Sequence, residues 1–302
     1  MPDNLDSYLV IGVSSRALFD LSCENEIYEK QGLAAYAEYQ LEHEDDVLQP
    51  GTGFGLVKGL LRLNELTPGK RKSEVIIMSH NGADTSMRIF NSIEHYGLDI
   101  TRAALGGGRP LAPYLQAFSV DLFLSLDGSD VQIAIDNGFA AGKIYEGHRF
   151  DSLANEAIPK EIRIAFDGDA VLFSDESEKI FQQQGLDAFV AHERENAKRP
   201  LPEGPFAKLL KTLAFIQSEF APDQVPIRTA LVTARNTPAH ERVIRTLRAW
   251  DVRIDEAFFL GGVPKDEVLR AFGAHIFFDD QDSHLEPASK YTAVAKVPYR
   301  SV

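Results

Sequence analysis

The chain is poor in sulfur, with one cysteine, Cys23, and three methionines in 302 residues. A lone cysteine makes neither an internal disulfide nor a multi-cysteine metal site, which fits a reducing compartment. Positive charge is also scarce. There are 31 Lys and Arg against 45 Asp and Glu, a formal charge of −14. That is the wrong sign for neutralising a phosphate backbone over a broad surface, so a nucleic-acid polymer is not an expected partner. No apolar run approaches the roughly 20 residues of a membrane span. The start, Met1-Pro2-Asp3-Asn4-Leu5-Asp6, has neither the basic flank nor the apolar stretch of a signal peptide. The expectation is a cytoplasmic protein with no membrane partner, and self-association into a homo-oligomer is left open.

What is present is core-forming material. A hydrophobic content of 44% and an aromatic content of 10% suffice for one large domain or two ordinary ones. Short apolar runs followed by turn signals recur at Tyr8–Val13, Val75–Met78, Leu122–Leu126, Ile162–Phe166, Thr229–Val232 and His275–Phe278, each reading as a buried strand. Stretches of helical spacing such as Thr237–Trp250 and Lys265–Phe272 lie between them. Alternating strands and helices predict an α/β fold with a parallel sheet covered on both faces. Thr237-Pro238 reads as a helix start, with Thr as N-cap and Pro at the first helical position.

The two halves of the chain resemble each other. Leu105-Gly106-Gly107-Gly108-Arg109-Pro110 parallels Leu260-Gly261-Gly262-Val263-Pro264-Lys265, and Ile77-Met78-Ser79-His80-Asn81 parallels Leu231-Val232-Thr233-Ala234-Arg235-Asn236. The offset is about 153 to 155 residues, which predicts an internal duplication. The expected division is an α/β domain over residues 1–155 and a second one over residues 156–302.

Acidic residues gather in the second half. In Phe166-Asp167-Gly168-Asp169-Ala170 two carboxylates flank a glycine at a strand end, where a tight turn aims both at one point. A second pair, Asp279-Asp280, ends the strand His275–Phe278. An isolated Asp-Gly-Asp is an ordinary surface turn. Two acidic pairs on adjacent strands repel unless a cation lies between them. Oxygen ligands without His or Cys favour a hard ion, Mg²⁺ first, with Asp167, Asp169, Asp279 and Asp280 as candidate ligands. Thr233 and the backbone N–H groups after it, beginning with Ala234, suit phosphate oxygens, and Lys265 suits the same anion as a compact positive charge.

This order of strand-Asp-x-Asp, strand-Thr, Lys and strand-Asp-Asp resembles the haloacid dehalogenase superfamily of phosphotransferases over Ile162 to about Glu286. The resemblance implies a Rossmann-like parallel sheet in the C-terminal half, with a helical cap inserted after the first catalytic strand at about 176–228. The N-terminal half would then be a degenerate repeat of the same kind. It implies that Asp167 is the nucleophile forming an aspartyl-phosphate and that Asp169 protonates the leaving alkoxide and then activates water. Thr233 and Lys265 would complete the catalytic set. The metal would be held by a carboxylate oxygen of Asp167, the backbone carbonyl of Asp169 and one of the final pair, Asp280 before Asp279.

Longer stretches, Arg163–Glu176, Leu231–Arg235, His275–Gln281 and Val13–Asp20 in the first half, look like the type I cytosolic 5′-nucleotidases. That likeness implies Mg²⁺-dependent hydrolysis of nucleoside 5′-monophosphates, AMP and deoxynucleotides among them, to nucleoside and phosphate. A phosphatase for another small phosphomonoester, such as a sugar phosphate, and a non-enzymatic nucleotide-sensing module are the competing expectations. In the cap, Phe181, Phe189 and Phe206 are candidates for stacking on a base, and the polar run His192, Glu193, Asn196 and Lys198 is a candidate for nucleoside contact. In the first half Ser14, Arg16, Ser79 and Pro110 align with Asp167, Asp169, Thr233 and Lys265, and only Asp127 is expected to survive from the final acidic pair. Arg16, His80, Asn81 and Arg109 are candidates for an effector or substrate crevice there.

Overall fold

The computed structural model describes Leu5 and residues 8–67, 69–146 and 161–300. The expected domain boundary at 155/156 lies outside the described residues. In the first half the strands are β1 (Leu9–Val13), β2 (Phe19–Asp20), β3 (Gln49–Pro50), β4 (Ser73–Ser79), β5 (Arg102–Leu105), β6 (Leu122–Ser125) and β7 (Ala140–Ile144). In the second they are β8 (Ile162–Phe166), β9 (Ile227–Thr233), β10 (Glu256–Phe259), β11 (Ile276–Asp279) and β12 (Ala293–Lys296). Ten of these build one sheet in the order β10-β9-β8-β11-β12-β7-β6-β1-β4-β5. The fold is α/β, as the strand-helix alternation predicts, and Rossmann-like, as the family resemblance implies.

Each half has the same strand order about its first strand, β5-β4-β1-β6-β7 and β10-β9-β8-β11-β12. Pairing within each half is parallel, and the halves meet at the one antiparallel pair of this sheet among the described residues, β7 with β12. The carboxyl ends of the two sets of strands therefore point in opposite directions.

The repeat extends to individual contacts. Helices Ser22–Gln31 and Leu33–Glu42 join at Gly32, and helices Glu176–Gln184 and Leu186–Glu195 join at Gly185. Both glycines have φ of 83°, a backbone state that a side chain disfavours. Arg88 Nε donates to the Asp46 carbonyl at 2.9 Å, and Arg242 Nε donates to the Arg199 carbonyl at 3.0 Å. Glu74 on β4 pairs with Arg102 on β5, whereas Arg228 on β9 pairs with Glu256 on β10, the same bridge with its charges exchanged.

One apolar core runs through both halves, from Leu9 and Ile11 to Ile164 and Phe278. Helices Phe54–Leu61 and Ala207–Ser218 meet there, with Leu56, Leu60, Leu209 and Leu213 lining one small apolar cavity. Helix Ala207–Ser218 buries Leu209, Leu210, Leu213 and Ile216, so it covers the sheet. Of the helices within the expected cap at about 176–228, those of the hairpin Glu176–Glu195 have the partial exposure of a cover. Phe206, at helical spacing ahead of that helix, is a core residue packed on Phe166 and Phe278.

Two readings of local sequence are corrected. The helix after β9 spans His240–Ala249 with Ala239 as N-cap; Thr237 and Pro238, joined by a cis peptide, form the turn ahead of it. The counterpart of Lys265 is Leu111, not Pro110. Each is the N-cap of the helix after the glycine turn, and Leu115 N–H donates to Leu111 as Leu269 N–H does to Lys265. Similarly, Asp127 caps the helix Gly128–Asp136 as Gln281 precedes Asp282–Ala288. Ser125 and Leu126 therefore stand where Asp279 and Asp280 do, and neither member of the acidic pair survives.

Candidate active site

Parallel pairing of β8 with β9 and with β11 brings three strand ends together, and with them Asp167, Thr233 and Asp279. The Asp167 N–H extends the ladder by donating to the Phe278 carbonyl at 2.8 Å. Next to it, a Cβ on Gly168 would stand 3.3 Å from Thr233 Oγ1, so the close approach of the two strand ends favours glycine.

Lys265 is the hub. Its Nζ donates to Asp167 Oδ1 and to Asp279 Oδ2, each at 2.7 Å, and its side chain is buried. Asp279 is further held by the Gln281 N–H at 2.8 Å and by His284 Nδ1 at 3.1 Å. Burial opposes charge on both Lys265 and Asp279, but the pull of Asp167 and Asp279 on the lysine, and of Lys265 and His284 on Asp279, outweighs it. The lysine is pushed up and the Asp279 carboxyl is held below its ordinary value.

One positive charge does not offset the remaining acids. Burial, aided by repulsion from Asp279 and Asp169, pushes Asp167 up to about 7 against the pull of Lys265. Burial and the charges of Asp167 and Asp279 push Asp280 up to about 8. Carboxylate oxygens of Asp167, Asp279 and Asp280 lie within 4.8 Å of one another. Three hard donors that resist ionising together are the donor set a small divalent cation fits, because its charge removes the repulsion.

Asp169 takes no part in that side-chain group. Its carboxylate is gripped by Arg235, Nε to Oδ2 at 2.8 Å and Nη2 to Oδ1 at 2.6 Å. Arg235 Nη1 reaches Glu193 on the hairpin at 2.6 Å, and the guanidinium lies 5.6 Å from the Phe189 ring centroid. Glu193 also accepts from Arg242 Nη1 at 2.9 Å and from Ser177 Oγ at 2.8 Å.

With this geometry in view, the comparisons with known proteins decide the family. The sequence profile described as 5′-nucleotidase matches residues 1–302. Human cytosolic 5′-nucleotidase 1B is 39% identical over 304 residues, covering 97% of this chain and 49% of that protein. The chain belongs to the 5′-nucleotidase family. It spans about half the length of the curated relative it matches.

In this 5′-nucleotidase family member Asp167, Thr233, Lys265, Asp279 and Asp280 converge, with Asp169 beside them and Ala234 on the turn after β9. Of the cap candidates, Phe189 reaches the cluster through Arg235. His192 faces Arg242 at 3.2 Å, and Asn196 bonds back to the His192 carbonyl of its own helix at 2.9 Å.

The first-half candidates stand elsewhere. β1 and β8 are five strand spacings apart, about 24 Å, and their carboxyl ends face opposite ways. There Arg16 pairs with Glu146 at 3.5 Å, His80 Nε2 contacts Asp130 at 2.8 Å, Asn81 accepts from the Tyr36 hydroxyl at 2.9 Å, and Arg109 is exposed.

Arg235 is the residue that reading the sequence does not pick out; Glu193 stands in the polar run of the cap with His192, Asn196 and Lys198, but its pairing with Arg235 is not visible there. A signal for Arg235 exists, because Asn81, its first-half counterpart, is itself a candidate at the end of its strand. Among the described residues no helix is long and apolar enough to cross a membrane.

Proposed function

We propose that the chain is a divalent-cation-dependent 5′-nucleotidase, with Mg²⁺ as the ion, that hydrolyses nucleoside 5′-monophosphates at the Asp167 cluster. The observation that carries this reading is Lys265 shared between Asp167 and Asp279 at 2.7 Å each, beside a third acid, Asp280, that burial keeps from ionising alone. Asp167, the Asp169 carbonyl and Asp280 would hold the ion. Asp280 is favoured over Asp279 because Lys265, Gln281 and His284 already engage both Asp279 oxygens. The ion supplies charge neutralisation that lets an anionic carboxylate approach an anionic phosphate.

The protein's own groups divide the remaining work. An Asp167 oxygen attacks phosphorus, the bond to the 5′-oxygen breaks, and its electron pair leaves with that oxygen, which takes a proton from Asp169. Water then attacks the phosphorus, losing a proton to Asp169, and the bond to Asp167 breaks to release phosphate. Splitting the displacement in two avoids direct attack by neutral water on the ester, and acid help matters because an alkoxide leaves poorly. Lys265 steadies Asp167 for attack and shields it from Asp279. Thr233, with the N–H groups after β9, is placed to hold phosphate oxygens.

A panel of nucleoside monophosphates and sugar phosphates, assayed with Mg²⁺ and with a chelator, tests the reading. Turnover of nucleotides that the chelator abolishes is expected. Preference for sugar phosphates would reassign the substrate, and activity surviving chelation would remove the metal.

A further inference from the structure

The geometry points to Arg235 as the positioning residue for the proposed acid/base Asp169, with Glu193 of the hairpin fixing Arg235 in turn. This rests on the reading of Asp169 as proton donor to the leaving oxygen. Two parallel hydrogen bonds define the plane of a carboxylate, which a single bond does not. The arginine fork uses one lone pair on each Asp169 oxygen, leaving others for the proton that goes to the leaving group. The Arg235 side chain is only 3% exposed, and its three nitrogens are all engaged by Asp169 and Glu193. It is therefore placed to orient Asp169 and not to bind substrate phosphate itself.

The repeat supplies a control within the molecule. A residue needed only to fasten the hairpin segment to the helix packed beside it belongs in both halves, and Arg88 and Arg242 are such a pair, each donating from Nε to a backbone carbonyl just past the hairpin and from Nη1 to a hairpin carboxylate, Glu24 or Glu193. The pairing of Arg235 with Glu193 behaves otherwise. Their first-half counterparts are Asn81 and Gln40, both neutral and joined through the Tyr36 hydroxyl at 2.9 Å each. The counterpart of Asp169 is Arg16, which turns to Glu146. Where the acid is missing, its fork and the fork's anchor are missing too, although the hairpin still forms.

A series of substituted phenyl phosphates tests this on the full chain with Mg²⁺. These esters carry no nucleoside and differ in leaving-group acidity. Because kcat/KM reports the steps up to departure of the phenol, the slope of its logarithm against leaving-group pKa measures how well protonation works. Arg235→Lys keeps the charge and loses the fork. It is expected to lower kcat/KM about 10- to 100-fold for phenyl phosphate but less than about 3-fold for 2,4-dinitrophenyl phosphate, which needs little acid help. Glu193→Gln should steepen the slope in the same direction by less, which keeps the test available if Arg235→Lys folds poorly. A loss uniform across the series, or no loss, overturns the positioning role. Inactivity of the wild type on every ester would instead overturn the phosphatase reading, and the positioning role with it.

Discussion

Leu111 occupies in the first half the helix-capping position that Lys265 holds in the second. An apolar side chain there is compatible only with a strand-end cluster that carries no acids to offset, and Ser14, Ser125 and Leu126 meet that condition. Isothermal titration with Mg²⁺ should give one site per chain, lost in Asp280→Ala. A second site of similar affinity would mean that the first half keeps a metal centre built from other residues.

Lys265→Met tests the hub. Removing one partner of a buried ion pair strands the other, at a cost of about 3–5 kcal/mol, and here the lysine serves two buried acids. The variant should melt well below the wild type and lose turnover. Added Mg²⁺ should recover part of the melting temperature, since a cation can neutralise the acids that the lysine no longer reaches. A variant as stable as the wild type in chelator would show that the three carboxyls do not repel in the folded protein.

Much of this was legible in the sequence. β1, β6, β8 and β11 are mostly apolar runs, and the acidic pairs begin just past the end of β8 and at the last residue of β11. β5, β7, β10 and β12 were not legible: Arg102–Leu105 and Glu256–Phe259 begin with a charge at the sheet edges, and Ala140–Ile144 and Ala293–Lys296 are rich in Ala with a Lys. Their strand character comes from pairing with neighbours, which local pattern does not report. The offset between halves, known only to within a residue or two, misplaced Pro110 and Asp127. Backbone hydrogen bonds at the helix starts settle that register. The pairing of Arg235 with Glu193 is not legible, because a buried ion pair between residues more than forty apart leaves no spacing in the chain.

The raised acids also set a pH dependence. Between the ordinary carboxyl value of 3.8 and the values of about 7 for Asp167 and about 8 for Asp280, the folded protein holds protons that the unfolded chain has released. Stability falls with rising pH wherever the native state binds more protons, so these two groups destabilise the metal-free protein progressively from about pH 4 to 8. His275 works the other way below its ordinary value of 6.5, because burial and the nearby Arg163 hold its ring down. Comparing wild type with Asp280→Asn in chelator separates the two. The wild type should lose more melting temperature between pH 5 and 8, and Mg²⁺ affinity should rise over the same interval as protons stop competing. Parallel melting curves for the two proteins would remove Asp280 from the repulsive cluster.

Trapping the phosphoenzyme separates the nucleophile from the acid/base. Rapid acid quench with phosphorus-labelled p-nitrophenyl phosphate should leave label on the wild-type protein, released by hydroxylamine as an acyl phosphate is. Asp167→Asn keeps the side chain's size but lacks the attacking anion, so it should carry no label and turn over at least about a thousandfold more slowly. Asp169→Asn should differ from it. Nitrophenolate leaves without acid help, so the first half-reaction still proceeds, but no base remains to take the proton from water. Label should therefore build up towards one equivalent per chain and decay slowly. With a nucleoside monophosphate, whose alkoxide needs the proton, the same variant should label far more slowly. Label on Asp167→Asn, or none on Asp169→Asn with the nitrophenyl ester, would mean that the two carboxylates do not divide the reaction in this way.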